Sequence, residues 1–290
     1  MNPAFPKISI VTASFNQGEY LEQTIQSVLN QEYPNLEYII IDGGSTDRSV
    51  EIIKKYESQL AYWISEKDNG LYHALQKGFE KSTGEIMGWI NSDDLHHNNS
   101  LFLLAKIFTQ FNDIHWIMGK NTFFDEDSNC FVYDIDPHYE RWSIWRLYRL
   151  EPTRFIQQES TFWRRSLWER AGNHISQKFK FAGDFELWLR FFQHAQLYTT
   201  NVLLAGFRHR TSNQKSNEGM HLYIEEMKML VARDIKDKKR AGYFRFLNMG
   251  LRIIKIIPFK KIKSTLTKKL LHLPPRVLYK PNQDFYLQKK

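Results

Sequence analysis

Residues 36–47 read LEYIIIDGGSTD, and the fold turns on how this stretch is read. Its first half is a nearly unbroken apolar run, as a strand buried on both faces of a parallel sheet requires. Its second half cannot extend that strand. Gly43-Gly44 favours a turn, and Ser45 or Thr46 can cap a new helix running to about residue 56 with Val50 and Ile53 inward. The unit is therefore strand, turn, helix. Upstream, 7–13 (KISIVTA) is a β-branched strand, and 18–31 places Leu21, Ile25, Val28 and Leu29 on one helical face until Tyr33-Pro34-Asn35 breaks it. Downstream, 60–65 reads as a third strand, 72–81 as a helix and 85–90 as a fourth strand. Strands separated by helices of this length predict an α/β fold, a mostly parallel, Rossmann-like sheet flanked by helices.

Beyond residue 101 the pattern changes. A helix is expected to 111, short aromatic strand-like pieces to 133, a Trp- and Arg-rich section over 139–171, and a helix over 184–193. These read as the second half (101–227) of one domain whose first half is 1–100. The single cysteine, Cys130, excludes an intrachain disulfide and with it a secreted disulfide scaffold. The first ten residues lack the basic-then-apolar order of a signal peptide, so none is expected. The absence of a continuous apolar run of about 18 residues argues against a membrane span.

The net charge of +8 hides an asymmetry. Residues 228–290 hold 18 Lys and Arg against 3 Asp and Glu, so an acidic body carries a basic tail. Within it, LRIIKIIPF (251–259) alternates apolar residues with Arg252 and Lys255. Two outcomes are open for 228–290: an extension packed on the domain, or an anchor on an anionic membrane surface.

In an open parallel sheet, ligands sit beyond the carboxyl ends of the strands. The first strand ends in Ala13-Ser14-Phe15-Asn16 and the second in Asp42-Gly43-Gly44. The third is followed by Glu66-Lys67-Asp68 and the fourth by Asn91-Ser92-Asp93-Asp94. Acidic groups thus gather at three of four strand ends. So many carboxylates repel one another unless a cation joins them, and a divalent ion with oxygen ligands would bring a polyphosphate with it.

Taken together, ISIVTASFNQGEYLEQTIQSVLNQEYPNLEYIIIDGGSTDRSVEIIKKY and WISEKDNGLYHALQKGFEKSTGEIMGWINSDD resemble the family 2 glycosyltransferases of the GT-A fold, above all the branch that builds bacterial O-antigen and related surface polysaccharides. The resemblance covers roughly residues 6–216. It implies an inverting transfer of sugar from a nucleotide-diphosphate sugar, UDP-sugars favoured, to a glycan or lipid-linked glycan acceptor, at the cytoplasmic side of the plasma membrane. It also implies a divalent cofactor, Mn²⁺ or Mg²⁺, and no nucleic-acid partner. The residue matching Asp42 binds the nucleobase, with Ala13, Ser14 and Phe15 flanking it. Asp68 matches a further donor-binding position. The Asp-x-Asp motif falls on Asn91, Ser92 and Asp93, with Asp93 and Asp94 as the expected metal residues; Asn91 replaces the commoner first Asp and suits a ribose hydroxyl better than a metal. The general base is expected at Asp184 in FAGDFELWLR (181–190), with Glu186 as the alternative. Arg208-His209-Arg210, followed by Ser212 and Ser216, resembles the loop that closes over the diphosphate, with Arg208 and His209 as the donor-binding candidates. Trp163, in QQESTFWRR (157–165), is the candidate acceptor platform, and the loops over 120–165 should set acceptor choice. The competing readings are a sugar nucleotidyltransferase, which normally shows a Gly-rich basic loop after the first strand, and a non-catalytic nucleic-acid or phosphate binder that uses the basic tail.

Overall fold

A computed structural model describes residues 5–132, 156–211, 215–236, 238–271, 275–280 and 284–288. The expected alternation is present: β1 (Ile8–Ser14), α1 (Leu21–Leu29), β2 (Leu36–Asp42), α2 (Ser49–Lys55), β3 (Tyr62–Ser65), α3 (Leu71–Lys81) and β4 (Ile86–Trp89). The chain continues through β5 (Leu95–His96), α4 (Ser100–Gln110), β6 (Trp116–Met118), β7 (Thr122–Phe124) and β8 (Cys130–Val132). After residues 133–155 come β9 (Thr161–Arg164), α5 (Arg165–Arg170), α6 (Gly183–Phe191), β10 (Tyr198–Thr199) and β11 (Ala205–Arg208). Three helices and a hairpin complete it: α7 (Lys215–Ile235), α8 (Lys238–Ile256), α9 (Lys260–Leu271), β12 (Arg276–Lys280) and β13 (Asp284–Gln288).

Seven strands form the central sheet in the order β10-β6-β9-β4-β1-β2-β3. β1 runs parallel to β2 and β4, β2 to β3, and β6 to β10; β9 is antiparallel to both of its neighbours. The sheet is mostly parallel, as the sequence predicts. Tyr38 and Ile40 face one core, with Ile8 and Ile10, while Ile39 and Ile41 face the other, with Val11 and Ala13. This two-sided burial is why the run at 36–41 does not alternate apolar with polar. On one face α3 lies so close that a Cβ at Gly78 would stand 2.3 Å from a Val11 methyl carbon.

A smaller sheet, β5-β11-β7-β8, gathers the short aromatic pieces beyond residue 101. Residues 133–155 lie outside the described residues, and with them the first part (139–155) of the Trp- and Arg-rich section and much of the stretch expected to set acceptor choice. The boundary expected at 227/228 falls inside α7, whose Met227, Leu230 and Val231 are buried in the main core. One helix thus runs across the expected boundary. The last part of the tail packs on the domain: Val277 and Phe285 join the second core, Thr200 bridges Val277, and Lys106 pairs with Asp284 at 2.8 Å.

Candidate active site

The parallel strands β1, β2 and β3 and the neighbouring β4 end on one rim, and each end is shaped by a local contact. Asp42 closes β2. Its Oδ2 accepts from Gly44 N (3.1 Å), Ser45 N (2.9 Å) and Ser65 Oγ (2.7 Å), and its Oδ1 accepts from Ser45 Oγ (2.5 Å). One buried carboxylate thus fixes the turn and ties β2 to β3. Gly44 has φ of +81°, where a side chain would strain the backbone. At Gly43 a Cβ would stand 2.9 Å from Asp68 Oδ2, so the missing side chain lets Asp68 lie against the end of β2. Asp68 Oδ1 in turn accepts from Gly70 N (2.7 Å) at the start of α3. Beside them Ala13 and Ser14 are buried and Phe15 is exposed.

The turn after β4 holds two adjacent acids in different states. Asp94 is fully buried; its Oδ1 accepts from Arg208 N (2.8 Å) and its Oδ2 from Asn91 Nδ2 (2.9 Å). The expectation that Asp94 ligates a metal is therefore corrected, because both oxygens are committed to holding the turn. Burial, then the nearby charges of Glu159 and Asp93, push its carboxyl well above the usual range. Asp93 instead points to Arg210, with an ion pair of 2.8 Å. Its burial raises its pKa against the lowering pull of Arg210. Ser92 is buried between these groups, and Asn91 Oδ1 is buried with no hydrogen-bond partner among the described residues.

Arg208 is likewise corrected. Its guanidinium is fully buried and donates to Asp93 O, Asp125 O, Glu126 O, Ser128 Oγ and Gln23 Oε1, so it organises the turn from beneath rather than reaching a diphosphate. His209 is exposed and stacks on Phe123 (5.1 Å between ring centroids), while its N–H donates to Phe124 O. The cation beside Asp93 is Arg210, the last residue of the Arg208-His209-Arg210 segment. Arg208 and Arg210 both lie over the Tyr20 ring, at 4.9 and 5.1 Å.

Asp184 lies in the first turn of α6, two residues after the N-cap Ala182, and its carboxylate meets backbone N–H groups of that turn, at Phe185 and at Asp184 itself. Tyr72 Oη lies 3.3 Å from its Oδ1 and Tyr223 Oη 3.3 Å from its Oδ2. A Cβ at Gly183 would meet the Tyr72 ring at 2.7 Å, so that glycine admits the tyrosine. Burial raises Asp184 to about 6, against the lowering effect of its hydrogen bonds. Burial and the charge of Asp184 push both tyrosines well above their usual range, which keeps their hydroxyls protonated as donors. Glu226 on α7 braces the approach to this helix, its two oxygens accepting from the N–H groups of Lys180, Phe181 and Ala182 (2.7 to 2.9 Å).

Glu186, the alternative base, is corrected. It is buried against Arg190 at 2.9 Å, with Arg233 at 3.5 Å, and serves as an ion pair along the helix. Trp163 is corrected as an acceptor platform, because it is fully buried between Trp89, Trp168 and Phe79. Glu159 was missed. It is 3% exposed, its Oε1 has no hydrogen-bond partner among the described residues, and it feels the charges of both Asp93 and Asp184. Burial first, then those charges, raise it to about 7. No sequence signal marks it, since Asp93 and Asp184 are far from it along the chain.

Among the described residues, no three His, Cys, Asp or Glu side chains gather as a metal cage. Asp93 offers one carboxylate, and two unsatisfied buried oxygens, Asn91 Oδ1 and Glu159 Oε1, lie in the same carboxylate-rich region. This set fits a cation that draws most of its ligands from a bound diphosphate and water rather than from protein.

The mostly parallel sheet flanked by helices is a GT-A-type fold. Solved structures share the fold. The structure of TarS 1–349 from S. aureus in complex with UDP-GlcNAc has a TM-score of 0.59 at 15% identity, covering 90% of this chain and 83% of that one. The mannosyltransferase PcManGT from Pyrobaculum calidifontis, in complex with GDP-Man and Mn²⁺, gives 0.53 at 14% identity, covering 93% and 86%. The model described as Glycosyl transferase family 2 matches residues 9–171, more than half of the chain, which therefore belongs to that family. Among curated relatives, an uncharacterized glycosyltransferase of Mycobacterium tuberculosis is 39% identical over 90 residues, 31% of this chain and 34% of that protein. One from Haemophilus influenzae is 35% identical over 127 residues (43% and 50%), and TuaG of Bacillus subtilis, named for teichuronic acid biosynthesis, is 35% identical over 92 residues (31% and 36%). The match thus spans a third to a half of the length of these relatives.

Proposed function

We propose that the chain is an inverting glycosyltransferase of surface polysaccharide synthesis. It would move a sugar from a nucleotide-diphosphate donor, UDP-sugars favoured, to a hydroxyl of a glycan or lipid-linked glycan at the cytoplasmic side of the membrane. The observation that carries this reading is the Asp184 carboxyl, partly buried beside two tyrosine hydroxyls and raised to about 6. At pH 7 such a group is about nine-tenths ionised, yet basic enough to take a proton in the transition state.

The nucleoside lies along Ala13–Phe15 and Asp68, on the turn whose shape Asp42 fixes, and the diphosphate beside Asp93. A divalent ion, Mn²⁺ or Mg²⁺, held by Asp93 and the phosphate oxygens, would neutralise charge on the leaving group. Arg210 then turns from Asp93 to the phosphates, where a planar guanidinium matches their oxygens. The acceptor oxygen attacks the anomeric carbon from the face opposite the diphosphate. The new C–O bond forms as the bond to the phosphate oxygen breaks, and the acceptor proton passes to Asp184. Tyr223 holds the carboxylate toward the incoming hydroxyl, while Tyr72, whose hydroxyl donates to Phe181 O at 2.6 Å, packs beside it. The printed titles of the structural neighbours, with UDP-GlcNAc and with GDP-Man and Mn²⁺, are consistent with a nucleotide-sugar donor.

The test is Asp184→Asn, measured by turnover on a screen of nucleotide sugars and by calorimetric binding of the nucleotide diphosphate with Mn²⁺. Binding should persist while transfer falls about 10³-fold, the scale of a lost general base. Transfer at a normal rate would refute the assignment.

A further inference from the structure

The hairpin of α8 and α9 has one apolar face more than its packing uses. Leu247, Leu251 and Ile254 of α8 are buried, and α9 packs where a Cβ at Gly250 would meet Leu270 at 2.8 Å. At about 100° per residue, Phe246, Met249, Ile253 and Ile256 project from the opposite side of α8. All four are exposed, Ile256 at 82%. Phe259 at the turn and Ile262 at the start of α9 extend the stripe at 66% and 51%. An isolated exposed isoleucine needs no explanation, but a row of six apolar side chains along one hairpin does.

The charge of the same segment is one-sided. Residues 238–271 contain eleven Lys and Arg and no Asp or Glu. Arg245, Arg252 and Lys255 are exposed along the flank of the apolar stripe, with Lys261 just beyond the turn. Long basic side chains beside an apolar stripe suit a helix lying in a bilayer interface, where the stems reach outward to lipid phosphates. Among the described residues, no helix is long and apolar enough to cross a membrane.

We infer that the outer face of the α8–α9 hairpin docks on an anionic lipid bilayer, with Phe246, Met249, Ile253, Ile256, Phe259 and Ile262 entering the interface and the flanking cations meeting lipid headgroups. Nucleic acid would use the cations and leave the apolar stripe exposed. A second copy of this chain would set two hairpins of eleven positive charges each against one another. An anionic lipid surface satisfies both features at once. The inference goes beyond the donor-site reading and stands without it, because docking involves no residue of the rim. The two are mechanically related, however. The hairpin follows α7, the helix that carries Tyr223 and Glu226 against the start of α6, and the end of α7 lies about 18 Å along its axis from Tyr223 at 1.5 Å per residue.

Flotation of the full chain with vesicles tests this without any sugar donor. The protein should float with phosphatidylcholine vesicles containing 30% phosphatidylglycerol, release as salt rises, and stay behind with pure phosphatidylcholine. The double variant Ile253→Asp/Ile256→Asp, altered only at exposed positions, should keep its circular dichroism and lose about tenfold or more in vesicle partitioning, since both the apolar and the electrostatic contributions weaken. In Phe259→Trp, the indole emission should shift to the blue on adding anionic vesicles. Failure of the full chain to float, or equal flotation of the double variant, would overturn the inference. So would a concentration-dependent dimer that the double variant abolishes while vesicles leave the protein unbound. None of these results bears on Asp184, so the two readings fail separately.

Discussion

Two pairs of acids, one at the turn after β4 and one at the start of α6, look alike in sequence and do different work in the fold. Asp93 and Asp94 are neighbours, and Asp184 and Glu186 are two apart. In each pair one carboxylate is consumed by the structure: Asp94 by Arg208 N and Asn91, and Glu186 by Arg190. The other is the one proposed for chemistry, Asp93 paired with Arg210 and Asp184 beside two tyrosine hydroxyls. Residue type and motif position do not separate the partners. What separates them is which oxygens are already spoken for.

Substitutions that keep shape and remove charge should split each pair. The largest effect is expected from Asp184→Asn, with transfer down about 10³-fold and melting temperature little changed, the signature of a lost base in an intact scaffold. Asp93→Asn should cost about 10²-fold in turnover and abolish any response to added Mn²⁺, measured as initial rate against metal concentration. Asp94→Ala should act chiefly on stability, about 2 kcal/mol in chemical denaturation, because it strands a buried backbone N–H and the Asn91 amide. Glu186→Gln should cost only about 1 kcal/mol and leave turnover within about twofold, since Arg190 keeps its bonds to Ala171 O and His174 O. If Glu186→Gln silenced transfer while Asp184→Asn did not, the assignment within the second pair would be reversed.

The pH dependence sharpens the same contrast. With Asp184 near 6, kcat/KM should fall about tenfold per unit below pH 6 and level off above it. Stability should move the other way. Asp184 and Glu159 are both raised above their ordinary values, so the folded chain holds their protons more tightly than the unfolded chain does. Their contribution is complete below about pH 4 and is lost as pH climbs through 6 and 7. Glu159→Gln should therefore flatten the decline in stability between pH 5 and 8 by up to about 3 kcal/mol, at about 1.4 kcal/mol per pKa unit, as followed by urea denaturation at each pH.

The first half of the fold was legible because its information is local. The apolar run at 36–41, the break at Pro34 and the turn at Gly43-Gly44 each dictate a backbone state without reference to distant residues. The smaller sheet was harder to read, because β5, β7, β8 and β11 are two to four residues long and exist through pairing. The site divides in the same way. Asp42, Asp68 and Asp93 follow from where strands end. Arg210 rather than Arg208 follows only from the packing that commits the Arg208 guanidinium to Gln23, Ser128 and backbone carbonyls, and Glu159 only from the fold that brings Asp93 and Asp184 near it. Trp163 looked like a sugar platform because an aromatic ring reads the same in a core as in a groove.

The buried tryptophans give the molecule a built-in optical probe. Trp89 and Trp188 stack at 5.7 Å and 11°, Trp116 and Trp188 at 5.6 Å and 28°, and Trp163 closes on Trp89 from the edge. Rings held this rigidly couple their electronic transitions and give a strong near-ultraviolet dichroic signature. Trp89 is also two residues from Asn91, so the chromophore cluster ends where the candidate diphosphate turn begins. A change in that turn can thus be followed in the unlabelled wild-type chain, by its own absorption and emission.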